Sequence, residues 1–189
     1  MLIGNINSLG ITSKVKRVVV KDTFNRVNNN TTLGTADTNQ NWQSLSGVWG
    51  IADNKVKLIT SSGVRDYIVI DSGVFDCEIQ ISMVQYLAYA RLAFRVTDLS
   101  NMFFLTADYD SAYRLYKLSA GTTTLLGVFN TKASHGDIMK VRLEGTSITV
   151  LINGNEVMRV NDSFNQKATK HGFGGVGSNF IFDDFLVVT

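Results

Sequence analysis

A chain of 189 residues, 44% hydrophobic and 18% charged, has the length and apolar content of one globular domain that buries its own core, which sets aside disordered and fibrous classes. Eighteen basic residues against 16 acidic ones leave a formal net charge of +2, and no excess that would select nucleic acid or an anionic membrane. The single cysteine, Cys77, permits no intrachain disulfide, and its apolar neighbours mark it as a small core residue rather than a nucleophile.

In chain order, MLIGNINSLGITSK has neither the basic start nor the continuous apolar run of a secretory signal. No apolar stretch is long enough to span a bilayer, so synthesis in a cytoplasm is expected. Residues 1–20 read as an N-terminal arm or extra strand, and residues 21–189 as the domain proper. Around the end of the arm, Lys14, Lys16, Arg17 and Lys21 interleave with valines, the pattern of an edge strand protected by lysine. Residues 28–41, NNNTTLGTADTNQN, are a polar surface loop.

Beyond the loop, apolar residues recur with period two, and no window carries a 3.6-residue period. Strands are predicted at 56–60, 65–70, 75–83, 88–96, 102–109, 113–118, 123–129, 138–144, 147–152, 156–160 and 180–188. Over 75–83, Phe75, Cys77, Ile79, Ile81 and Met83 share a core face, while Asp76, Glu78, Gln80 and Ser82 share a solvated one. Asn153 and Gly154 both tolerate positive φ, as a type I′ hairpin requires. GFGGVG at 172–177 reads as a turn into the last strand, and His135 and His171 sit beside glycine in turn-like surroundings. Neither histidine has the spacing of a zinc site or a nucleophile elbow nearby. Many short strands with turn signals between them make an all-β sandwich or barrel.

The spacing Asp22-x-Phe24-x-Arg26, Leu33-Gly34, Trp42, Gly47-x-Trp49-x-Ile51 and Asn54 resembles the N-terminal part of concanavalin A-like (laminin G-like) jelly-roll domains. The type most similar is that of phage and bacterial surface proteins. Phe94-Arg95 before a short loop and an aromatic strand, the tip VLINGNEV, and the closing GFGGVGSNFIFDDFLVV agree with it. The resemblance covers about residues 20–189 and implies a concanavalin A-like jelly-roll β-sandwich of two antiparallel sheets. It further implies that the opening DTF and the closing FDDF lie side by side, with Trp49 in the core and Trp42 against the opening loop.

Several such jelly rolls are glycosidases with a Glu-x-Asp-x-(x)-Glu run. The nearest match is Asp76-x-Glu78-x-Gln80, whose third position is an amide, so catalysis is not the expectation. The resemblance also implies the option of a structural calcium ion held by Asp22, Asp183 or Asp184 near the paired termini. For glycan binding the candidates are Tyr89, Arg91 and Arg95 on one strand face, with Tyr109, Arg114 and Tyr116 on the next strands. Sugars need aromatic faces and planar polar groups, but the same residues also dress an exposed sheet in cross-strand pairs.

Relatives working outside cells, in a chain without signal or disulfide, are reconciled by a virion protein made in a host cytoplasm and released with the particle. The expectation is thus a non-enzymatic structural or adhesion protein of a phage capsid, tail or fibre. Its arm would contact other virion proteins or further copies in a homo-oligomer, and a host-surface glycan is a further partner. A stand-alone carbohydrate-binding module is the alternative, and a glycoside hydrolase the third reading.

Overall fold

The structure is a computed structural model that describes residues 15–85, 89–108, 112–177 and 180–189. Fifteen strands and no helix lie within them: β1 (Val18–Asp22), β2 (Trp42–Ser44), β3 (Val48–Ala52), β4 (Lys55–Thr60), β5 (Asp66–Asp71), β6 (Glu78–Gln85), β7 (Ala90–Asp98), β8 (Asn101–Ala107), β9 (Tyr113–Ser119), β10 (Thr122–Phe129), β11 (Ile138–Glu144), β12 (Ser147–Ile152), β13 (Asn155–Asn161), β14 (Lys170–Gly175) and β15 (Ile181–Val188). They form two antiparallel sheets. One runs β13-β12-β11-β6-β15-β4-β3 with β1 added on β15, and the other runs β10-β9-β8-β7-β14-β5-β2.

The first and last strands pair, Asp22 opposite Phe185 and Val18 opposite Val188. β1 therefore belongs to the sandwich although it begins inside the expected arm; residues 1–14 lie outside the described residues. β15 serves two neighbours in turn, because its ladder to β6 slips between Asp183 and Leu186, where Asp184 takes a left-handed φ of 51°. That bulge bends the strand, so that its first half meets β4 and its second half β1. The predicted hairpin tip is present, with Asn153 at φ 51° and Gly154 at φ 83° between β12 and β13.

Between the sheets the side chains supplied by period-two alternation meet as one core. At one end an aromatic cluster gathers Phe24, Trp42, Trp49, Phe173, Phe180, Phe182 and Phe185, with Phe173 5.0 Å from Phe182 and Trp42 5.0 Å from Phe185 between ring centroids. Each ring buried there contributes about 2–3 kcal/mol over exposure. The DTF and FDDF signatures thus join the two sheets through packing.

Two sequence expectations change. The GFGG segment is not a turn: it is most of β14, a central strand hydrogen-bonded to β5 and β7. His171 is therefore no turn residue but is fully buried inside the sandwich. A Cβ at Gly172 would sit 2.0 Å from the Ile68 carbonyl oxygen, and one at Gly174 2.1 Å from that of Asp66. Glycine is needed there for close backbone approach, and its lack of side chains hid the strand.

Candidate functional site

The seven-stranded sheet carries a second hydrophobic cluster on its outer face, away from the inter-sheet core: Tyr67, Val69, Ala93, Val96, Met102, Phe104 and Leu118, with Leu45 and Tyr116 packed on it. The strand registers order this face into two rows. One passes from Val69 through Gly172, Ala93, Phe104 and Tyr116 to Leu125. The other passes from Tyr67 through Gly174, Arg91, Thr106 and Arg114 to Val128.

The glycine floor of β14 lets Arg91 reach across it. Its Nη1 donates to the Tyr67 hydroxyl at 2.8 Å, and its guanidinium carbon lies 4.5 Å from the Phe104 ring centroid and 6.0 Å from that of Tyr67. Phe104 stacks in turn on Tyr116, at 5.2 Å with planes 27° apart. Burial raises the Tyr67 phenol above its ordinary pKa, against the opposing pull of the Arg91 charge, so the hydroxyl stays neutral at physiological pH. In the polar row, Arg114 Nη1 meets Asp108 Oδ2 at 2.5 Å, and the Thr106 hydroxyl donates to Asp108 Oδ1 at 3.2 Å.

The centre of this face is buried: Tyr67 is 0% exposed, Phe104 2% and Arg91 9%. Accessibility returns at the β9–β10 margin, where Tyr116 and Arg114 are half-buried and Leu125 and Val128 are exposed. Tyr89 is exposed too. It precedes β7 at left-handed φ, and its N–H bonds the Ala107 carbonyl at the end of the sheet that bears Asp108.

Of the sequence candidates, the structure places Arg91, Arg114 and Tyr116 on this one face, with Tyr89 at its end. Tyr109 lies outside the described residues. Arg95 does not share the face. It takes a left-handed φ of 49°, the β7–β8 ladder loses register between Phe94 and Asp98, and this break in alternation turns its side chain away. The fully buried guanidinium donates from Nη2 to the Gly145 carbonyl at 2.6 Å and lies 3.6 Å from Asp76. Its Nε and Nη1, like Arg91 Nε, have no hydrogen-bond partner.

Tyr67, Phe104, Thr106 and Asp108 complete the face, and the sequence pattern does not mark them. β5 and β8 are apolar on both faces, so alternation could not say which residues point outward.

The Asp76–Glu78 pair lies on the other sheet, beside a groove of about 280 Å³ that Lys16, Arg142 and Val188 also line. Glu78 is not on a solvated face as expected: it is 8% exposed and held by Lys16 at 2.5 Å, Arg142 at 2.7 Å and Lys140 at 3.8 Å. Burial pushes its pKa up, but hydrogen bonds from Lys16 and Arg142 outweigh that and leave it below the usual value.

Two of the three carboxylates considered for calcium already have protein partners. Asp22 is fully buried and accepts from both Arg26 Nη atoms at 2.8 Å, from Trp42 Nε1 at 2.7 Å and from the Phe24 N–H at 2.9 Å. Asp183 pairs with Lys55 at 3.1 Å. Burial and the neighbouring Asp183 raise the Asp184 carboxyl, and no three carboxylate, histidine or cysteine groups converge among the described residues.

No family model matches this chain, and no curated protein does. Solved structures do. The carbohydrate-binding module CBM66 from Bacillus subtilis aligns at 15% identity over 76% of this chain and 91% of its own, with a TM-score of 0.62. Domain 4 of AbnA, a GH43 extracellular arabinanase from Geobacillus stearothermophilus solved with arabinotriose, aligns at 13% identity over 92% of both chains, TM-score 0.62. The catalytic domain of an endo-1,3-beta-glucanase (laminarinase) from Thermotoga petrophila aligns at 7% identity over 92% of this chain and 98% of its own, TM-score 0.59. At such identities these likenesses show the fold alone, a concanavalin A-like jelly-roll β-sandwich.

Proposed function

We propose that the protein is a non-enzymatic carbohydrate-binding and adhesion module whose site is the outer face of the seven-stranded sheet, entered at the β9–β10 margin. The observation that carries this reading is the stack of Arg91, Phe104 and Tyr116, which ends in a half-buried tyrosine ring beside the Arg114–Asp108 pair. A sugar needs an apolar ring to lie on and planar polar groups to bond its hydroxyls. Structural neighbours described as a carbohydrate-binding module and as an arabinanase domain holding arabinotriose support the same reading.

Hydrolysis asks for more than this face supplies. A glycosidase needs one carboxyl kept protonated and another 5 Å or more away, about 5–5.5 Å in retaining and 6.5–9.5 Å in inverting enzymes. Asp108 is bound to Arg114 and Thr106, and Glu78 is on the other sheet with its pKa lowered. The resemblance to domains of phage and bacterial surface proteins makes a virion one setting for this adhesion. Mass spectrometry of purified phage particles tests that setting, and particles without the protein would refute it.

The binding test is calorimetric titration with arabinan, laminarin and an array of host-surface glycans. Tyr116→Ala should weaken the best ligand about tenfold, the equivalent of ~1.4 kcal/mol, with no reducing sugar released by wild type or Glu78→Gln. A glycan affinity unchanged in folded Tyr116→Ala, or the absence of any glycan ligand, would sink the proposal.

A further inference from the structure

Sheet edges expose backbone donors and acceptors to any passing strand, and folded proteins blunt them with charge, cover or brevity. Four edges here are managed in this way. β13 carries Glu156 and Arg159, and β2 is three residues long. Asn29 satisfies both backbone groups of Ile51 on β3, at 2.9 and 2.7 Å. The loop residues Thr38 and Gln40 bond Lys21 N–H and the Val19 carbonyl on β1.

β10 is different. It ends the seven-stranded sheet, and its eight residues, TTTLLGVF, include no charge and no proline. Thr122–Thr124 are exposed, as are Leu125 and Val128, at 48% and 40%. The turn Ala120–Gly121, at φ 47° and 79°, closes on the Ser119–Thr122 pair. In a two-residue hairpin of this kind alternate residues Thr123 and Leu125 turn their N–H and C=O away from β9. The bulge between Leu125 and Gly127 limits the free edge to its first half.

We propose that this edge receives a second copy of the chain, β10 pairing antiparallel with its counterpart about a twofold axis at Thr124. That register sets Thr123 opposite Leu125 twice, so the outward groups of both residues in both copies are used in hydrogen-bonded pairs. Thr124 then faces itself across the axis. An edge without charge selects no charged partner, and a twofold contact asks only that one surface complement itself. The edge of the other sheet next to β10, β13, carries one charge of each sign in its Glu156–Arg159 pair, so it adds no net charge that would repel a second copy.

The interface rests on the edge alone. Its consequence for binding rests on the carbohydrate reading: with β9, β10 and their mates in one sheet, the two Tyr116 faces would lie side by side, roughly 16 Å apart. A contact of this length is at the small end of interface sizes, so the dimer should assemble in the micromolar range.

Sedimentation equilibrium of the full chain, without glycan, tests it across micromolar concentrations. Wild type should rise towards twice 20.8 kDa. Thr123→Pro, which removes an outward N–H, and Leu125→Lys, which charges an exposed position, should both remain at 20.8 kDa with unchanged circular dichroism. Should the proline variant misfold, the lysine variant decides. Thr124→Cys should cross-link to itself under mild oxidation while wild type, whose Cys77 is buried, does not. A wild type that stays monomeric, or a dimer that survives Leu125→Lys, overturns the proposal. Glycan affinity is read on wild type at concentrations below and above the dimer transition, and on Tyr116→Ala, so the interface and the carbohydrate site fail independently.

Discussion

Acidification to pH 5 should loosen this fold through one imidazole. His171 is fully buried. Its Nδ1 accepts the Arg95 N–H at 3.2 Å, which leaves Nε2 to carry the proton and donate to the Val74 carbonyl at 3.1 Å. Burial lowers its pKa to about 4, with the hydrogen bond to Val74 opposing. The unfolded chain binds a proton at about 6.5, so between these values the unfolded state holds more protons and stability falls as pH falls. Integrated over that window, the loss is about 2 kcal/mol from pH 7 to pH 5 and about 3 kcal/mol by pH 4.

The carboxylates with depressed values, Asp71, Glu78, Asp98, Glu156 and Asp162, begin to matter only below about pH 5. Asp184, raised by burial and by Asp183, acts weakly in the opposite sense. Urea unfolding at pH 7, 6 and 5 should therefore show a slope of about half a proton per molecule between pH 7 and 6 and nearly one between pH 6 and 5. His171→Gln keeps both an acceptor and a donor in place, and it should flatten the slope. A wild-type stability that does not change from pH 7 to pH 5, or an equal slope in the variant, would refute the reasoning.

Three further outcomes are expected. Asp22→Asn replaces an acceptor of two Arg26 bonds and of the Trp42 N–H with a donor on one side. It should cost about 3 kcal/mol and lower the melting temperature by roughly 6–12 °C, read by calorimetry, and a loss under 1 kcal/mol would show that the network is not under stress. Gly172→Ala forces a Cβ against the Ile68 carbonyl and should destabilise by about 3 kcal/mol or more, or abolish soluble expression; native-like melting would mean that β5 and β14 can part. Cys77 should resist iodoacetamide in the native protein, because burial pushes its thiol pKa up to about 12, and should react only on unfolding. Labelling at the rate of a free thiol would contradict that burial.

Local pattern and distant packing divided the determination of this molecule between them. Alternation over 75–83 and 138–152, the Asn153–Gly154 tip and the absence of a helical period fixed the fold class, because a side chain's face in a strand depends only on parity. The resemblance carried by DTF, the two tryptophans and FDDF led to the pairing of first and last strands, since those residues pack on one another. Parity failed where the backbone left the regular ladder. Counting alone places Arg95 on the glycan face, but a left-handed residue and a slipped register send it to Gly145 and Asp76. β14 was unreadable because a strand whose neighbours press against its backbone has glycine where pattern would be. Tyr67, Phe104 and Asp108 joined Arg91, Arg114 and Tyr116 only through a register across five strands. Such a register is set by the packing of one sheet on the other, which no local stretch of the chain encodes.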